Sequence, residues 1–372
     1  AAFALMLSKR SEFSIAVVEH ADALVVGDQP NQRVVALGDA ATDLLDEIGI
    51  FNRLEDRFCY PYQKMFVWDQ NTDGELCFAA SEYQRAHLGH ITDSLQCTFL
   101  LQEALLEAPN IDVYFEFSAT SLNLTESPAA IASAETTLTA QLIVAADGNR
   151  SWVRQQAKIF APEEDYGQHG IVARISTAKS HEDTAWQRFL ATGPLAVLPL
   201  AANQSSIVWS ADNDYSGELM QMPEQKFAEA VAEALDQRLG SVNLLSQRAA
   251  FPLKSRHAEQ YFKTGLALIG DAAHSIHPLA GQGANLGFKD AVRLVQILEQ
   301  TEPALLGDIS ILEKYQRGRK LDNQQTDFLM GVLHRAYRSE APLWLTARGV
   351  GMNWLSASGA LKKLLALQAM GS

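Results

Sequence analysis

The densest group of residues whose types suit cofactor chemistry is the string GDAAHSIHPLAGQGANLG, residues 270–287. An apolar segment, residues 266–269, leads into Asp271, and the strands of α/β folds place their ligand-binding groups at such ends. Two glycines, Gly281 and Gly283, then open a helical pattern. Glycine lets a ligand approach the backbone closely, and the free N–H groups and dipole of a helix N-terminus favour an anion. An ordinary glycine-rich turn is the alternative, but it does not account for the whole string.

The same string contains two histidines. A reduced flavin carries negative charge on its pyrimidine ring, so a flavin suits the glycine loop. His274 and His277 are three residues apart and could share a metal ion on a helix, but no third ligand accompanies them. We therefore predict no metal site. His274 is expected to make a local polar contact, and His277 is expected at the flavin or substrate cavity. The pattern identifies no catalytic base.

Two further apolar segments end in an acidic residue. Residues 13–18 (FSIAVV) predict a buried strand followed by Glu19, and residues 142–146 lead into an Asp-Gly pair at 147–148. Helix-forming residues 1–10 precede the first strand. Helix, buried strand and terminal acid form the second half of a βαβ dinucleotide unit, in which the acid binds a ribose hydroxyl. An exposed glutamate without a ligand is the alternative for Glu19.

The composition limits the class of protein. The chain has 372 residues, enough for two or three domains, with 47% hydrophobic and 20% charged residues, as in a folded globular protein. A net charge of −14 argues against nucleic-acid binding, because phosphate contacts need a basic surface. Three cysteines without a CxxC pair match neither a disulfide framework nor a zinc site, and they suit the reducing cytoplasm. No apolar run reaches the roughly 20 residues that span a bilayer.

Residues 270–287 resemble the second FAD motif of aromatic-ring flavoprotein monooxygenases, in particular the ubiquinone-biosynthesis hydroxylases of the UbiH/UbiF/VisC type. Residues 145–154 (AADGNRSWVR) resemble the Asp-Gly motif of this family, and Arg33 with the residues after it resembles its early FAD loop. Residues 186–189 (WQRF) and 206–210 (SIVWS) resemble strands of its substrate domain. The resemblance covers nearly the whole chain.

The resemblance implies a set of contacts with a non-covalently bound FAD. Glu19 would hold the adenosine ribose, Arg33 would lie along the cofactor, and Asp271 would bind the ribityl chain. Asp147 would lie between FAD and the approach of NAD(P)H, the co-substrate. Backbone groups of residues 281–285 would contact the pyrimidine edge of the flavin. The complete set of expected cofactor-binding residues is Glu19, Arg33, Asp147, Gly148, Gly270, Asp271, Pro278, Gly281, Gln282, Gly283, Ala284 and Asn285.

One element of the family pattern does not occur in the sequence. The GxGxxG turn of the family would end just before Ala1, so we expect a strand and this turn to precede Ala1. A chain that lacked them would lose the helix N-terminus that holds the FAD pyrophosphate, and it would bind FAD weakly.

The fold class implied by the resemblance is α/β. It has a Rossmann-like FAD-binding domain of the para-hydroxybenzoate-hydroxylase type, a β-sheet substrate domain and C-terminal helices. The expected FAD-binding domain is discontinuous and comprises residues 1–55, 91–165 and 252–300. The expected substrate domain comprises residues 56–90 and 166–251, and the helical region comprises residues 301–372. The Ala-, Ser- and Thr-rich residues 127–137 are expected to be only a hairpin tip.

The function implied is FAD-dependent hydroxylation of the aromatic ring of a polyprenylated phenol or benzoquinol intermediate of ubiquinone biosynthesis. NAD(P)H would reduce FAD, one atom of O₂ would enter the ring, and the other would leave as water. Two alternatives stay open. One is a same-fold FAD oxidoreductase acting on another aromatic or polyprenyl substrate, and the other is a non-catalytic subunit of a ubiquinone-biosynthesis assembly. The motifs concern the flavin, so they leave open which ring carbon is hydroxylated.

The C-terminal part of the chain has the opposite charge to the rest. From Glu313 onward nine Lys and Arg accompany only four Asp and Glu, together with Trp344 and Trp354. A basic, amphipathic segment suits an anionic membrane surface, so residues 313–372 are a hypothetical membrane contact. Packing on the acidic remainder is the alternative. We expect a cytoplasmic protein, or one peripheral on the inner face of the membrane, with other ubiquinone-biosynthesis proteins as partners.

Overall fold

The computed structural model describes residues 1–27, 31–54, 56–276 and 282–338, and also residues 349–352, 354, 358–359, 362–363 and 366. The α-helices are α1 (Ala2–Arg10), α2 (Asp39–Glu47), α3 (Ser94–Glu107), α4 (Trp152–Gln156), α5 (Asn213–Gln221), α6 (Glu224–Ala234), α7 (Gln282–Leu298) and α8 (Ile309–Arg338).

The strands are, in chain order, β1 (Ile15–Val18), β2 (Val34–Leu37), β3 (Cys59–Tyr62), β4 (Lys64–Asp69), β5 (Glu75–Ala79), β6 (Gly89–Asp93), β7 (Ile111–Tyr114), β8 (Ser121–Asn123), β9 (Ala129–Ala132), β10 (Thr137–Ala140), β11 (Ile143–Ala145), β12 (Glu163–Thr177), β13 (Thr184–Phe189), β14 (Leu195–Leu200), β15 (Gln204–Asp212), β16 (Val242–Leu244), β17 (Ala249–His257), β18 (Phe262–Lys263), β19 (Leu266–Leu268) and β20 (His274–Ser275).

One part of the molecule, which combines segments from both ends of the chain, is built on short parallel pairs of strands with helices around them. β1 pairs with β7, and β11 pairs with β19, both in parallel. The remaining small sheets of the described residues have the orders β10-β9-β8 and β2-β6-β3. Helices α1, α2, α3 and α7 cover the parallel strands. Their buried core includes Leu44, Leu45, Leu268, Leu294 and Val295.

The other part of the molecule is a mixed sheet of nine strands within the described residues. Its order is β20-β17-β12-β15-β14-β13-β4-β5, and β16 pairs with β12. Neighbouring strands are antiparallel except β13 and β4, which are parallel. This sheet packs on both faces, since it separates two distinct apolar cores.

The two faces of the large sheet have different neighbours. On one face Ile171, Ile207 and Trp209 pack against Phe227 and Val231 of α6. The other face contributes to what we call the methionine cluster. Its members are Val67, Leu76, Phe189, Ile276, Leu286, Met330 and Met352, with Met65, Phe78, Leu329 and Tyr337 half-buried at its edge. The methionine cluster therefore lies between the sheet, α7 and α8.

Most predicted elements occur in the structure, and one prediction is wrong. Residues 127–137 are not only a hairpin tip, because Ala129–Ala132 form β9, the middle strand of its sheet. Ala129 and Ile131 are buried there and their neighbours are less so, but small residues conceal this alternation in the sequence. The domain boundaries stay predictions. Residue 252 lies inside β17, which belongs to the large sheet, and β3 pairs with β6 rather than with that sheet.

Candidate cofactor and substrate site

A tight turn follows β19 at the centre of the candidate site. Gly270–Ala272 form a 3₁₀ turn, and Gly270 has a φ of +56°, where other residues are strained. The same glycine faces α7, because a Cβ built on Gly287 would lie 3.3 Å from the Gly270 Cα. The turn and the helix therefore meet through a pair of glycines.

Two of the predicted acidic residues emerge at the same edge of a sheet. Ala145 of β11 lies opposite Leu268 of β19, and the two strands are parallel. Because parallel strands end at the same edge, Asp147 and Asp271 follow them on the same side of the molecule. Asp147 accepts a hydrogen bond from the Val153 N–H at 3.0 Å and so also caps α4. Its predicted role between FAD and NAD(P)H stays a prediction.

Arg154 joins the two motifs. Its side chain is almost fully buried and donates from Nη1 to the Ala272 carbonyl at 2.7 Å and from Nη2 to the Asn149 carbonyl at 2.8 Å. Burial lowers the pKa of Arg154, while Asp147 opposes that change. The guanidinium therefore holds the Asp-Gly segment against the turn that carries Asp271.

Asp271 lies near Arg33 and His274. Its carboxylate is accessible to solvent and makes no hydrogen bond within the described residues. Partial removal of the carboxylate from water raises the pKa of Asp271, and the charges of His274 and Arg33 act in the opposite direction. The structure places Arg33 near Asp271, and the cofactor-binding roles of both residues stay predictions. An unpaired carboxylate beside a cation can accept hydrogen bonds from ligand hydroxyl groups.

The start of α7 is joined to the segment after Arg33 through Asn285. The buried side chain of Asn285 accepts from the Gly38 N–H and donates to the Ala36 carbonyl, both at 2.9 Å. Sequence reasoning assigned only the backbone of this residue, so the side-chain contact is a finding of the structure. A Cβ built on Gly283 would meet no atom of the described residues within 4 Å, so those residues leave room for a ligand at the first turn of the helix.

The remaining predicted residues differ in how far the structure describes them. Glu19 follows β1, is exposed, and accepts from the Ala21 N–H at 3.0 Å. Gly148 has a φ of +78°, and a Cβ on it would also meet no atom within 4 Å. Ala284 lies in the first turn of α7. His277, Pro278 and Gly281 lie outside the described residues, as does the side chain of Gln282.

A buried polar cluster beneath the turn escaped sequence reasoning. Asp290 of α7 is fully buried, and its Oδ2 accepts from His274 Nε2 at 2.6 Å and from the Gly270 N–H at 3.0 Å. Its Oδ1 accepts from Arg319 Nε at 2.8 Å and from Asn323 Nδ2 at 3.2 Å. Burial would raise the pKa of Asp290, but His274 and Arg319 outweigh it and lower this pKa. We call these five residues the Asp290 network.

The sequence did contain a signal for this network. Asp290 is four residues after Leu286 and four before Leu294, so it lies on the apolar face of α7. A carboxylate at a core position of a helix needs cationic or hydrogen-bonding partners. His274 met the expectation of a local polar contact, and its partner is Asp290.

Two histidines near the site are held neutral by burial. His90 of β6 packs edge-on against Phe51, with ring centres 5.0 Å apart, and burial lowers its pKa to about 4. His257, at the end of β17, shares a hydrogen bond with the Tyr261 hydroxyl at 3.1 Å, and burial lowers its pKa to about 4 as well. The Tyr261 hydroxyl also accepts from Asn323, which connects His257 to the Asp290 network.

These features fit FAD. The unpaired Asp271 carboxylate suits a ribityl hydroxyl, Arg33 suits the negative charge of the cofactor, and the open space at Gly283 admits a flat ring against the helix N-terminus. The methionine cluster adjoins this position through Ile276 and Leu286. Among the described residues no group of three or more His, Cys, Asp and Glu side chains is placed to hold a metal ion. Within the same residues no helix has both the length and the apolarity needed to cross a bilayer.

Comparison with known proteins agrees with this fit. The family described as FAD binding domain matches residues 17–326. The chain is 31% identical to the 3-demethoxyubiquinol 3-hydroxylase of Escherichia coli K12, over all of this chain and 95% of that protein. It is 29% identical to the mitochondrial ubiquinone biosynthesis monooxygenase COQ6 of Caenorhabditis elegans, over 90% of this chain and 83% of that one.

A solved structure has the same fold. PqsL from Pseudomonas aeruginosa, described as a probable FAD-dependent monooxygenase, superposes with a TM-score of 0.77 at 20% identity, covering 95% of this chain and 96% of its own. The match confirms the predicted fold class, with its α/β cofactor domain and large β-sheet.

Proposed function

The chain belongs to the family of FAD-dependent monooxygenases that carry the FAD binding domain, and on that premise we propose that it hydroxylates the aromatic ring of a polyprenylated phenol or benzoquinol in ubiquinone biosynthesis. One NAD(P)H and one proton are consumed with each O₂. One oxygen atom enters a ring C–H bond as a hydroxyl group, and the other leaves as water. The names of the E. coli and C. elegans relatives support this pathway.

FAD, when bound, supplies the electron transfer and the oxygen activation. The residues of this chain bind and orient the cofactor. Asp271 accepts from the ribityl chain, Arg33 balances the charge of the cofactor, and the N–H groups at the start of α7 favour negative charge on the ring. Arg154 and Asp290 hold the turn on which Asp271 stands. The apolar side chains above this position exclude water from the reacting ring.

The methionine cluster is the observation that carries the proposal for a lipid-like substrate. It adjoins the turn that follows His274 and contains Met330 and Met352, with Met65 at its edge. Methionine is flexible and polarizable, so its side chains can rearrange around an inserted hydrocarbon chain.

The test is turnover with defined substrates. Purified protein, supplied with FAD, is assayed for NAD(P)H oxidation with a geranylated phenol, a geranylated hydroquinone and 4-hydroxybenzoate, and products are identified by mass spectrometry. We expect faster NAD(P)H oxidation and a gain of one oxygen atom, 16 mass units, only with the prenylated rings, because one atom of O₂ enters the product. Hydroxylation of 4-hydroxybenzoate alone would contradict the proposal.

The C-terminal segment is proposed as a peripheral membrane contact on the cytoplasmic side. Trp354 is 60% exposed and Val350 is 64% exposed. Lys363, nine residues after Trp354, is exposed as well. Lys362 instead pairs with Glu82 at 2.6 Å, so its charge is used within the protein. Trp344 lies outside the described residues. Aromatic and basic side chains together suit the surface of an anionic bilayer.

Liposome flotation tests this contact. We expect salt-sensitive binding to vesicles that contain anionic lipid, with weaker binding for the Lys363→Glu and Trp354→Ala variants. Each basic residue near such a surface contributes about 1 kcal/mol. Lys362→Glu serves as the comparison, because it breaks an internal ion pair. Absence of flotation at every salt concentration would contradict a direct membrane contact.

A further inference from the structure

The side chain of Gln187 lies on the cofactor-facing side of the large sheet. In β13 its neighbours Trp186 and Arg188 point to the opposite face. Trp186 packs against the core beneath α6, and Arg188 donates to the Ala234 carbonyl of α6 at 2.9 Å. Because side chains alternate along a strand, Gln187 shares its face with Phe189, which belongs to the methionine cluster.

The neighbouring strand supports this placement. Gln187 is paired with Val67 of β4 in the parallel register, and paired residues of adjacent strands point to the same face. Val67 is a member of the methionine cluster together with Ile276 and Leu286, which flank the glycine loop of the cofactor site. The amide of Gln187 is therefore a polar group set among apolar side chains above the position that fits the flavin.

No hydrogen bond satisfies this amide among the described residues. Gln187 is only 7% exposed, and its side chain makes no hydrogen bond with the described part of the chain; its amide atoms are not among the fully buried polar atoms that lack a partner, so the amide keeps some access to solvent. On the opposite face, Arg188 bonds to two carbonyls and forms an ion pair with Asp236 at 2.9 Å, although its Nε and the Ser205 hydroxyl have no partner within the described residues. Because this amide is unpaired within the described residues, is not fully enclosed and lies beside the position that fits the flavin, it is free to take a hydrogen-bond partner on a ligand.

We propose that the amide of Gln187 binds an oxygen substituent on the aromatic ring of the substrate and thereby determines which ring carbon faces the flavin. The inference rests on the proposed function and deepens it. A glutamine amide can accept from a phenol O–H and donate to a methoxy or carbonyl oxygen. Among otherwise apolar side chains, one such contact fixes the rotation of the ring, while the prenyl tail lies among the methionines. Gln187 is thus a positioning residue.

The experiment replaces Gln187 by methionine, which has nearly the same shape and suits the cluster but cannot form this hydrogen bond. We expect unchanged FAD affinity and unchanged substrate-free NAD(P)H oxidation. With a geranylated phenol or hydroquinone we expect KM to rise about 5- to 10-fold, the loss of one neutral hydrogen bond. We also expect more hydrogen peroxide per NAD(P)H consumed, and a second product isomer detectable by chromatography.

The matched control is Ser205→Ala. Ser205 is fully buried in β15, and its hydroxyl also lacks a partner, but Ser205 is not part of the cofactor or substrate site. We expect its coupling and product isomer to match those of the parent protein. If Gln187→Met keeps the KM, the peroxide yield and the isomer of the parent protein, the inference about Gln187 is wrong and the proposed function stands. If the parent protein hydroxylates no prenylated ring, the proposed function fails and the inference with it.

Discussion

The Asp290 network and the methionine cluster adjoin the same face of α7, through Asp290 and Leu286, yet their chemistry differs completely. In the network, both oxygens of Asp290 accept two hydrogen bonds each, from backbone, imidazole, guanidinium and amide donors. In the methionine cluster the contacts are apolar and flexible, and Gln187 beside it has no hydrogen-bond partner in the described part of the chain. The first region is built to hold one geometry, and the second is built to rearrange.

The difference follows the two tasks. A cofactor that stays bound needs a turn of fixed shape, which the directional hydrogen bonds to Gly270 provide. A substrate that enters and leaves needs side chains that can repack at low cost, which methionines provide. Helix α8 contacts both regions, through Arg319 in the network and through Met330 in the cluster.

The largest effect should come from breaking the network. Replacing Asp290 by Asn removes the buried charge partner of Arg319 and leaves it only the pair with the exposed Asp322, and breaking a buried ion pair costs about 3–5 kcal/mol. We expect a loss of that size in the free energy of unfolding, measured by urea denaturation. Glu313→Gln removes an exposed pair with Arg317 and should cost at most about 0.5 kcal/mol. Equal effects of the two substitutions would show that the network is not a special source of stability.

Removing the predicted ribityl contact should affect cofactor binding rather than folding. For Asp271→Ala we expect FAD affinity to fall about 10- to 150-fold, since a charge-assisted hydrogen bond contributes about 1.5–3 kcal/mol. Flavin fluorescence titration measures the change. A variant that loses thermal stability yet binds FAD as tightly as the parent protein would mean that Asp271 only supports the turn.

The strands and the helix that carry the expected cofactor-binding residues could be predicted from the sequence. The buried side chains that hold these elements in place could not. The strands before Glu19 and Asp147 and the helix after Gly281 are local patterns, and they could be identified within short windows. The Asp290 network joins α7 to Arg319 and Asn323 of α8, and no local pattern specifies that approach.

The burial of the Gln187 side chain, and its lack of a hydrogen-bond partner within the described residues, could not be predicted for a related reason. Its burial depends on the pairing of β13 with β4, strands that are more than 100 residues apart in sequence. The strand β9 was missed because its alanines carry little hydrophobic signal.

We expect acid to destabilise the region around the Asp290 network before it affects the methionine cluster. The pKa of His257 is lowered to about 4 in the folded protein, so the unfolded chain takes up the proton first as the pH falls below about 6.5. Stability is therefore lost between about pH 6.5 and pH 4, by up to about 1.4 kcal/mol per pH unit for one such group. His257→Gln should flatten this loss in denaturation curves at several pH values, whereas the exposed His20→Gln should not. An unchanged slope in His257→Gln would exclude His257 as the cause.

The smallest effect on stability should come from the cluster. Met330→Leu conserves volume and should cost less than about 1.5 kcal/mol, but a branched side chain repacks less freely. We expect KM to increase more for a long prenyl tail than for a short one, which steady-state kinetics with both substrates would measure. If KM changes equally for both tails, Met330 does not contact the tail.

The parallel pairing of β13 with β4 has a consequence for synthesis on the ribosome. Strand β4 ends at Asp69, but its partner β13 begins only at Thr184, about 115 residues later. At a synthesis rate of about 5–20 residues per second, the apolar strands β4 and β5 remain without that partner for roughly 6–23 s. During this interval Phe66, Val67 and Trp68 are available to other chains and to chaperones. We expect nascent chains arrested between these two strands to be held by trigger-factor-like or Hsp70-like chaperones at residues 64–79, and to be released once β13 has emerged.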